Sequence, residues 1–201
     1  MKIQLTLNKK IIFTTKELAF ELGKSTASIS RSLTSLCKDG EVVKLTRGVW
    51  ANINHLQFTP YGACSYLLAN EQGYVSFLSV LHRHNIISQI PSTIQIATTG
   101  RNRVLNTSIG DFEFIQLCPE LMQEGFSVWG DGVTYNIATK EKALLDCLYI
   151  STRKGNRFNY FPEISLEKIS KKKVLALAKR LIKHPSIYVA VRDKVDEFFY
   201  L

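Results

Sequence analysis

The sequence predicts an α+β fold in two unlike parts: a small helical unit closed by a hairpin, then a larger unit in which helices and strands alternate. Three observations predict it. Two stretches with helical periodicity, "TTKELAFEL" and "STASISRSLTSLCK", meet at Gly23. Two short strand-like runs, "EVVKL" and "VWAN", face each other across the tight turn Thr46-Arg47-Gly48. Beyond "QFTPYGA", where Pro60 and Gly62 mark a junction, β-branched and aromatic runs such as "TIQIATT" and "DFEFIQL" alternate with apolar helical segments. The 201 residues allow two small domains, expected over 1–58 and 59–201.

In the first part, Ile3, Leu5 and Leu7 alternate like a strand, and a short helix is expected over 8–13. Thr14 followed three residues on by Glu17 has capping-box spacing, with Leu18, Ala19 and Leu22 turned inward. Gly23 suits the position just past a helix end, and Ser25 is a good N-cap for the next helix, which runs to about Lys38. Asp39-Gly40 then turns the chain into the hairpin. Two helices meeting at a glycine, followed by a hairpin, predict a winged helix-turn-helix. Ile29, Leu33, Leu36, Val42 and Trp50 are its expected core.

The second of these helices is unusual. Seven of the eleven side chains from Ser25 to Ser35 carry a hydroxyl, although serine and threonine are mediocre helix formers. A helix entering a DNA major groove gains from such a face, because short hydroxyls reach phosphates or base edges without holding the helix away. Thr26, Ala27, Ser28, Arg31 and Ser35 are the expected groove contacts, with Ser25 placing the helix N-terminus near a phosphate. Lys24, Lys44 and Arg47 are expected backbone contacts, Arg47 at the wing tip. The alternatives are a solvated serine-rich face, or a winged helix that binds protein or RNA as an adaptor.

Composition narrows the partners. The formal charge is +9, and residues up to Phe58 hold nine basic against four acidic side chains. Such an excess favours an anionic partner. No apolar run reaches the ~18 residues of a membrane span, and "MKIQLTLNKKIIF" lacks the pattern of a signal peptide. Cys37, Cys64, Cys118 and Cys147 are widely spaced and read as structural thiols of a reducing cytoplasm. His82 and His84, two apart on a helix, diverge and make no zinc site. No cofactor is expected.

The second part offers candidate helices at "PYGACSYLLAN", "SFLSVLHRHNI" and "TKEKALLDCLYI", strands at "TIQIATT" and "DFEFIQL", and a hairpin around Gly130-Asp131-Gly132. Asp111 and Glu113 share one strand face and raise a two-metal nucleotidyl transfer reading. A glycine-serine turn before them and a third carboxylate are not evident, so an outward polar face is the simpler reading. Glu141, Lys142 and Asp146 invite a catalytic reading too. The simpler account has Thr139 capping, Glu141 in the first turn, and Lys142 with Asp146 as an i, i+4 pair. No enzymatic activity is expected.

From Ser151 to His184 ten Lys or Arg face two Glu. "SKKKVLALAKRLIKHP" reads as an amphipathic helix with Lys172, Lys179 and Lys183 outside, stopping before Pro185. "STRKGNRFNYF" sets Arg153, Lys154 and Arg157 among aromatics. These six cations form either a solvated face or a second surface for nucleic acid, RNA included. A last helix, "VAVRDKVDEFFYL", ends on an apolar terminus.

The series "KDGEVVKLTRGVWA", "GYVSFLSVLHRHNIISQIPSTIQIAT", "IGDFEFIQL" and "YNIATKEKALLDCLYI" resembles the AbiEi family of antitoxins over about residues 14 to 150. These are the repressor-antitoxin halves of type IV toxin-antitoxin and abortive-infection modules. The resemblance implies a transcriptional autorepressor that binds inverted repeats in its own promoter. It also implies a C-terminal domain that counteracts a nucleotidyltransferase-like toxin without a tight complex, the alternative being a winged-helix regulator of the same fold without a toxin. The N-terminal stretch and the residues after 155 depart from the family pattern.

Overall fold

The computed structural model describes residues 2–153 and 157–200 of the chain, a mixed α+β structure. It opens with helix α1 (Lys2–Leu7) and strand β1 (Ile12–Thr14). This corrects the expected strand followed by a helix over 8–13. Ile3 and Leu7, four apart, pack on the same core, whereas Leu5 between them is 61% exposed; a strand would have put all three on one face. Ile12 and Phe13 are both buried, on opposite faces of a sheet, and such a two-sided strand imitates a buried helical turn in sequence.

Helix α2 (Thr15–Leu22) starts at a complete capping box: Glu17 N donates to Thr14 Oγ1 at 3.1 Å, and Thr14 N donates to Glu17 Oε2 at 2.6 Å. Gly23 ends it with φ 62°, the left-handed conformation that favours glycine. Helix α3 (Thr26–Lys38) follows, then strands β2 (Val43–Thr46) and β3 (Val49–Ala51). The three strands form an antiparallel sheet in the order β1-β3-β2, with Phe13 opposite Trp50 and Ile12 opposite Ala51.

That sheet is buried on both faces. Phe13 and Trp50 join Leu18, Ile29, Leu33 and Val42 in a core beneath α2 and α3. Ile12, Leu45, Val49 and Ala51 point the other way, into the core of the remaining chain. The indole of Trp50 also donates to Thr15 Oγ1 at 2.9 Å, tying the sheet to the start of α2. The first unit is thus fixed to the second by an apolar face and is not a bead on a linker. Gly62 marks the tightness of the joint: a Cβ there would lie 3.2 Å from Val133 and 3.5 Å from Ile12.

A 3-10 turn, Pro60–Gly62, and helix α4 (Ala63–Leu67) replace the longer helix expected of "PYGACSYLLAN". Strand β4 (Gly73–Val75), helix α5 (Phe77–Arg83), strands β5 (Ile94–Thr98), β6 (Arg103–Thr107), β7 (Gly110–Gln116), β8 (Phe126–Trp129) and β9 (Tyr135–Ala138) follow. They form a six-stranded sheet, β6-β7-β5-β4-β9-β8, in which β5 with β7 and β4 with β9 run parallel. Helix α6 (Lys140–Ser151), N-capped by Thr139, lies at the centre, in contact with β9, α5, α7 (Lys171–Leu181) and α8 (Pro185–Phe198). Pro185, expected to follow a helix stop, is the first residue of α8, where its missing N–H costs nothing. Strands β4 and β6 have no counterpart in the sequence reading; β4 has three residues, and none of the five in β6 is fully buried.

Candidate nucleic-acid interface

Helix α3 buries Ile29 and Leu33 completely, each worth ~1.5–3 kcal/mol. Val42 and Trp50 are buried beside them, while Leu36 is half-buried. The opposite side is open. Ala27, Arg31 and Ser35 recur at i, i+4, i+8 and are all exposed, so they form one outward stripe. Thr26 is exposed next to it, and Ser28 is half-buried at its edge.

The hydroxyls divide into two sets. Ser25 caps the helix, its Oγ accepting from Ser28 N at 3.2 Å. Ser32 Oγ and Thr34 Oγ1 donate back to the carbonyls of Ser28 and Ser30 at 3.2 and 2.8 Å, a common use of such side chains inside a helix. Thr26, Ser28, Ser30 and Ser35 have no side-chain hydrogen bond among the described residues. Three of these four, Thr26, Ser28 and Ser35, are ones the sequence places against a groove.

The basic residues of this unit are arranged around that stripe. Lys24 is exposed in the turn between α2 and α3, and Arg31 is exposed at mid-stripe. Arg47 is exposed at the β2–β3 turn. None of the three has an ion-pair partner among the described residues. Lys44 is exposed on β2, its ammonium 5.8 Å from the Trp50 ring. Its carbonyl accepts from Ser108 Oγ, in the β6–β7 turn, at 3.3 Å, so the second unit braces the hairpin from behind.

The C-terminal cations sit in different local settings. Lys172 and Lys179 are exposed seven apart on α7, but Lys183 lies beyond the helix end, where Ile182 is extended, and leaves the helical stripe. Arg153 is exposed, its guanidinium 5.7 Å from the Tyr149 ring. Arg157 is half-buried and ion-paired with Glu113. Lys154 lies outside the described residues. The Glu113 carboxylate also accepts from Gln95 Nε2 at 3.0 Å and from Thr93 Oγ1 at 3.4 Å, so it is committed to structure rather than open to a cation. Among the described residues no group of three or more His, Cys, Asp and Glu side chains could hold a metal ion.

The burial of one charged pair escaped the sequence reading. Lys142 and Asp146 are paired as their i, i+4 spacing suggests, but both side chains are fully buried. Tyr74 and Ser76, from the sheet side, donate to Asp146 Oδ2 at 3.0 and 2.7 Å, and Lys142 Nζ lies 2.5 Å from the Tyr74 hydroxyl. Burial pushes the Lys142 ammonium down and the Asp146 carboxyl up from their ordinary values, and their mutual attraction opposes both. Burial, and then the neighbouring Asp146, holds the Tyr74 phenol well above its usual range. Every polar atom of the pair is satisfied from within, so the cluster orients α6 on the sheet and is closed to a ligand. A signal was present: "ALLDCLYI" is apolar round the whole helix, the mark of a helix surrounded on all sides.

No family model matches the chain, and the search of curated proteins gives no match either.

Proposed function

We propose that the chain is a DNA-binding autorepressor whose residues 1–58 act as a winged helix-turn-helix, with α3 as the helix that enters the major groove. The observation that carries this reading is the outward stripe Ala27–Arg31–Ser35, flanked by the unbonded hydroxyls of Thr26 and Ser28, on a helix otherwise pinned by Ile29 and Leu33. Small side chains let the helix approach, Arg31 reaches a base edge or a phosphate, and Lys24, Lys44 and Arg47 neutralise backbone phosphates. The α2–α3 junction at Gly23 and the β2–β3 hairpin support the same reading.

The resemblance to AbiEi antitoxins extends the proposal. Residues 59–201 would serve as the antitoxin domain of a type IV module, opposing a nucleotidyltransferase-like toxin without a tight complex. The DNA partner would be inverted repeats in the chain's own promoter. In this reading the protein works in the cytoplasm, needs no cofactor and performs no catalysis. No helix among the described residues is long and apolar enough to cross a membrane. A second reading, a module that docks protein, is favoured by Phe20, which stands 93% exposed on α2.

A reporter driven by the DNA upstream of the chain's own gene tests the proposal. Expression of the chain should repress it, and Arg31→Ala should relieve the repression at equal protein level. Repression that is absent, or indifferent to Arg31, would overturn the reading.

A further inference from the structure

A groove of about 670 Å³ opens where β7 and α6 end, far in sequence from α3 and unrelated to its role. The volume lies within the range of small-molecule sites. Its floor is apolar, made by Tyr149 and Ile150, both buried. The lining includes two amides, Asn102 and Gln116. Asn102 Oδ1 accepts from Gln116 N at 2.6 Å, which fixes the exposed Asn102 side chain and leaves its NH₂ group without a partner among the described residues. The Gln116 side-chain amide is exposed and has no partner among the described residues. The lining also includes two guanidinium groups, Arg153 and Arg157. Glu113 engages Arg157 and holds it in place, which commits one of its donors and leaves the others of the fork. One carboxylate against two arginines leaves the lining cationic.

We propose that this groove binds a nucleotide, either free or as the end of a single strand. The base would lie on the apolar floor with its hydrogen-bonding edge toward Asn102 and Gln116, and the phosphate would lie between Arg153 and Arg157. Side-chain amides present a donor and an acceptor side by side, the pattern that heterocyclic base edges complement. Planar guanidinium groups match phosphate oxygens in charge and geometry. Two amides and two arginines in one lining, beside apolar Tyr149 and Ile150, fit a ligand that joins a flat, polar heterocycle to an anionic group.

The test is calorimetric titration of the full chain with the four 5′-ribonucleoside monophosphates, their nucleosides, inorganic phosphate, and a short 5′-phosphorylated oligoribonucleotide. At least one monophosphate should bind at least about tenfold tighter than its nucleoside and than phosphate, the scale of one charge-assisted hydrogen bond. Arg153→Ala should weaken it by about the same factor. Gln116→Ala should change the preference among bases. Both positions are exposed, and the variants should melt with the parent protein. Arg31→Ala should leave this binding unchanged, which separates it from the DNA reading. Tighter binding of the oligonucleotide, in competition with the monophosphate, identifies a strand end as the ligand; equal or weaker binding identifies the free nucleotide. No heat from any nucleotide at millimolar concentration would overturn the proposal. So would phosphate binding as well as the monophosphates, or indifference to both substitutions.

Discussion

Helices α3 and α6 make a natural contrast. Both begin at a hydroxyl cap, Ser25 or Thr139, whose side chain accepts from the backbone three residues on. Helix α3 carries Arg31 and Lys38, and α6 carries Lys140, Glu141, Lys142 and Asp146. The two helices spend these charges in opposite ways. On α3 only Ile29 and Leu33 are fully buried, and Arg31 stands outward with no ion partner among the described residues. On α6 every residue from Glu141 to Ser151 is buried, and Lys142 and Asp146 satisfy each other inside the protein. A cation left unpaired on a rigid surface keeps its full attraction for an anionic partner, whereas a buried pair specifies how two layers fit. The same residue chemistry therefore leaves a cation open to the proposed recognition on one helix and fixes architecture on the other.

The contrast breaks most visibly at Lys142. Replacing it with Met strands Asp146 as an uncompensated buried charge and should cost about 3–5 kcal/mol, read by urea denaturation. The double variant Lys142→Met/Asp146→Leu should recover much of that loss. A single variant as stable as the parent would show that the pair does not hold α6 in place. Arg31→Ala should do the reverse, leaving stability within about 0.5 kcal/mol while weakening specific DNA by about 1–3 kcal/mol. An equal loss on random DNA would make Arg31 a phosphate contact. Arg47→Ala should weaken all DNA alike and lower the slope of log affinity against log salt by about 1. An unchanged slope would remove the β2–β3 turn from the interface. The smallest difference concerns thiols. Cys64 and Cys147 are buried, with burial pushing both thiols up, while Cys37 and Cys118 are half-exposed. Native-state alkylation should modify the second pair first, and simultaneous reaction of all four would contradict the described packing.

Much of the contrast was legible in the residues. The caps Thr14, Ser25 and Thr139, the helix end at Gly23 and the hairpin at Gly130-Asp131-Gly132 follow from local chemistry, which a short stretch of sequence states in full. Long-range packing was less readable. Ile12–Thr14 is a strand in a sheet covered on both faces, on one by α2 and α3 and on the other by the second unit, and nothing within the stretch reveals the second cover. The pairing of Lys142 with Asp146 was evident from spacing, but its burial depends on Tyr74 and Ser76, some seventy positions earlier. Arg157, read as part of a solvated face or a nucleic-acid surface, is paired with Glu113 on β7, also distant in the chain. At the groove, the face of α3 was visible as a hydroxyl-rich run, yet the back-bonding of Ser32 and Thr34 reduces the number of hydroxyls free to donate.

The central claim is that the outward stripe of α3 reads DNA. A gel-shift titration tests it most directly, using the DNA just upstream of the chain's own gene as probe and random DNA as competitor at near-physiological salt. The account predicts that the complex survives a competitor excess that strips a scrambled probe. Equal loss on both probes would contradict it, and the positive charge would then be generic.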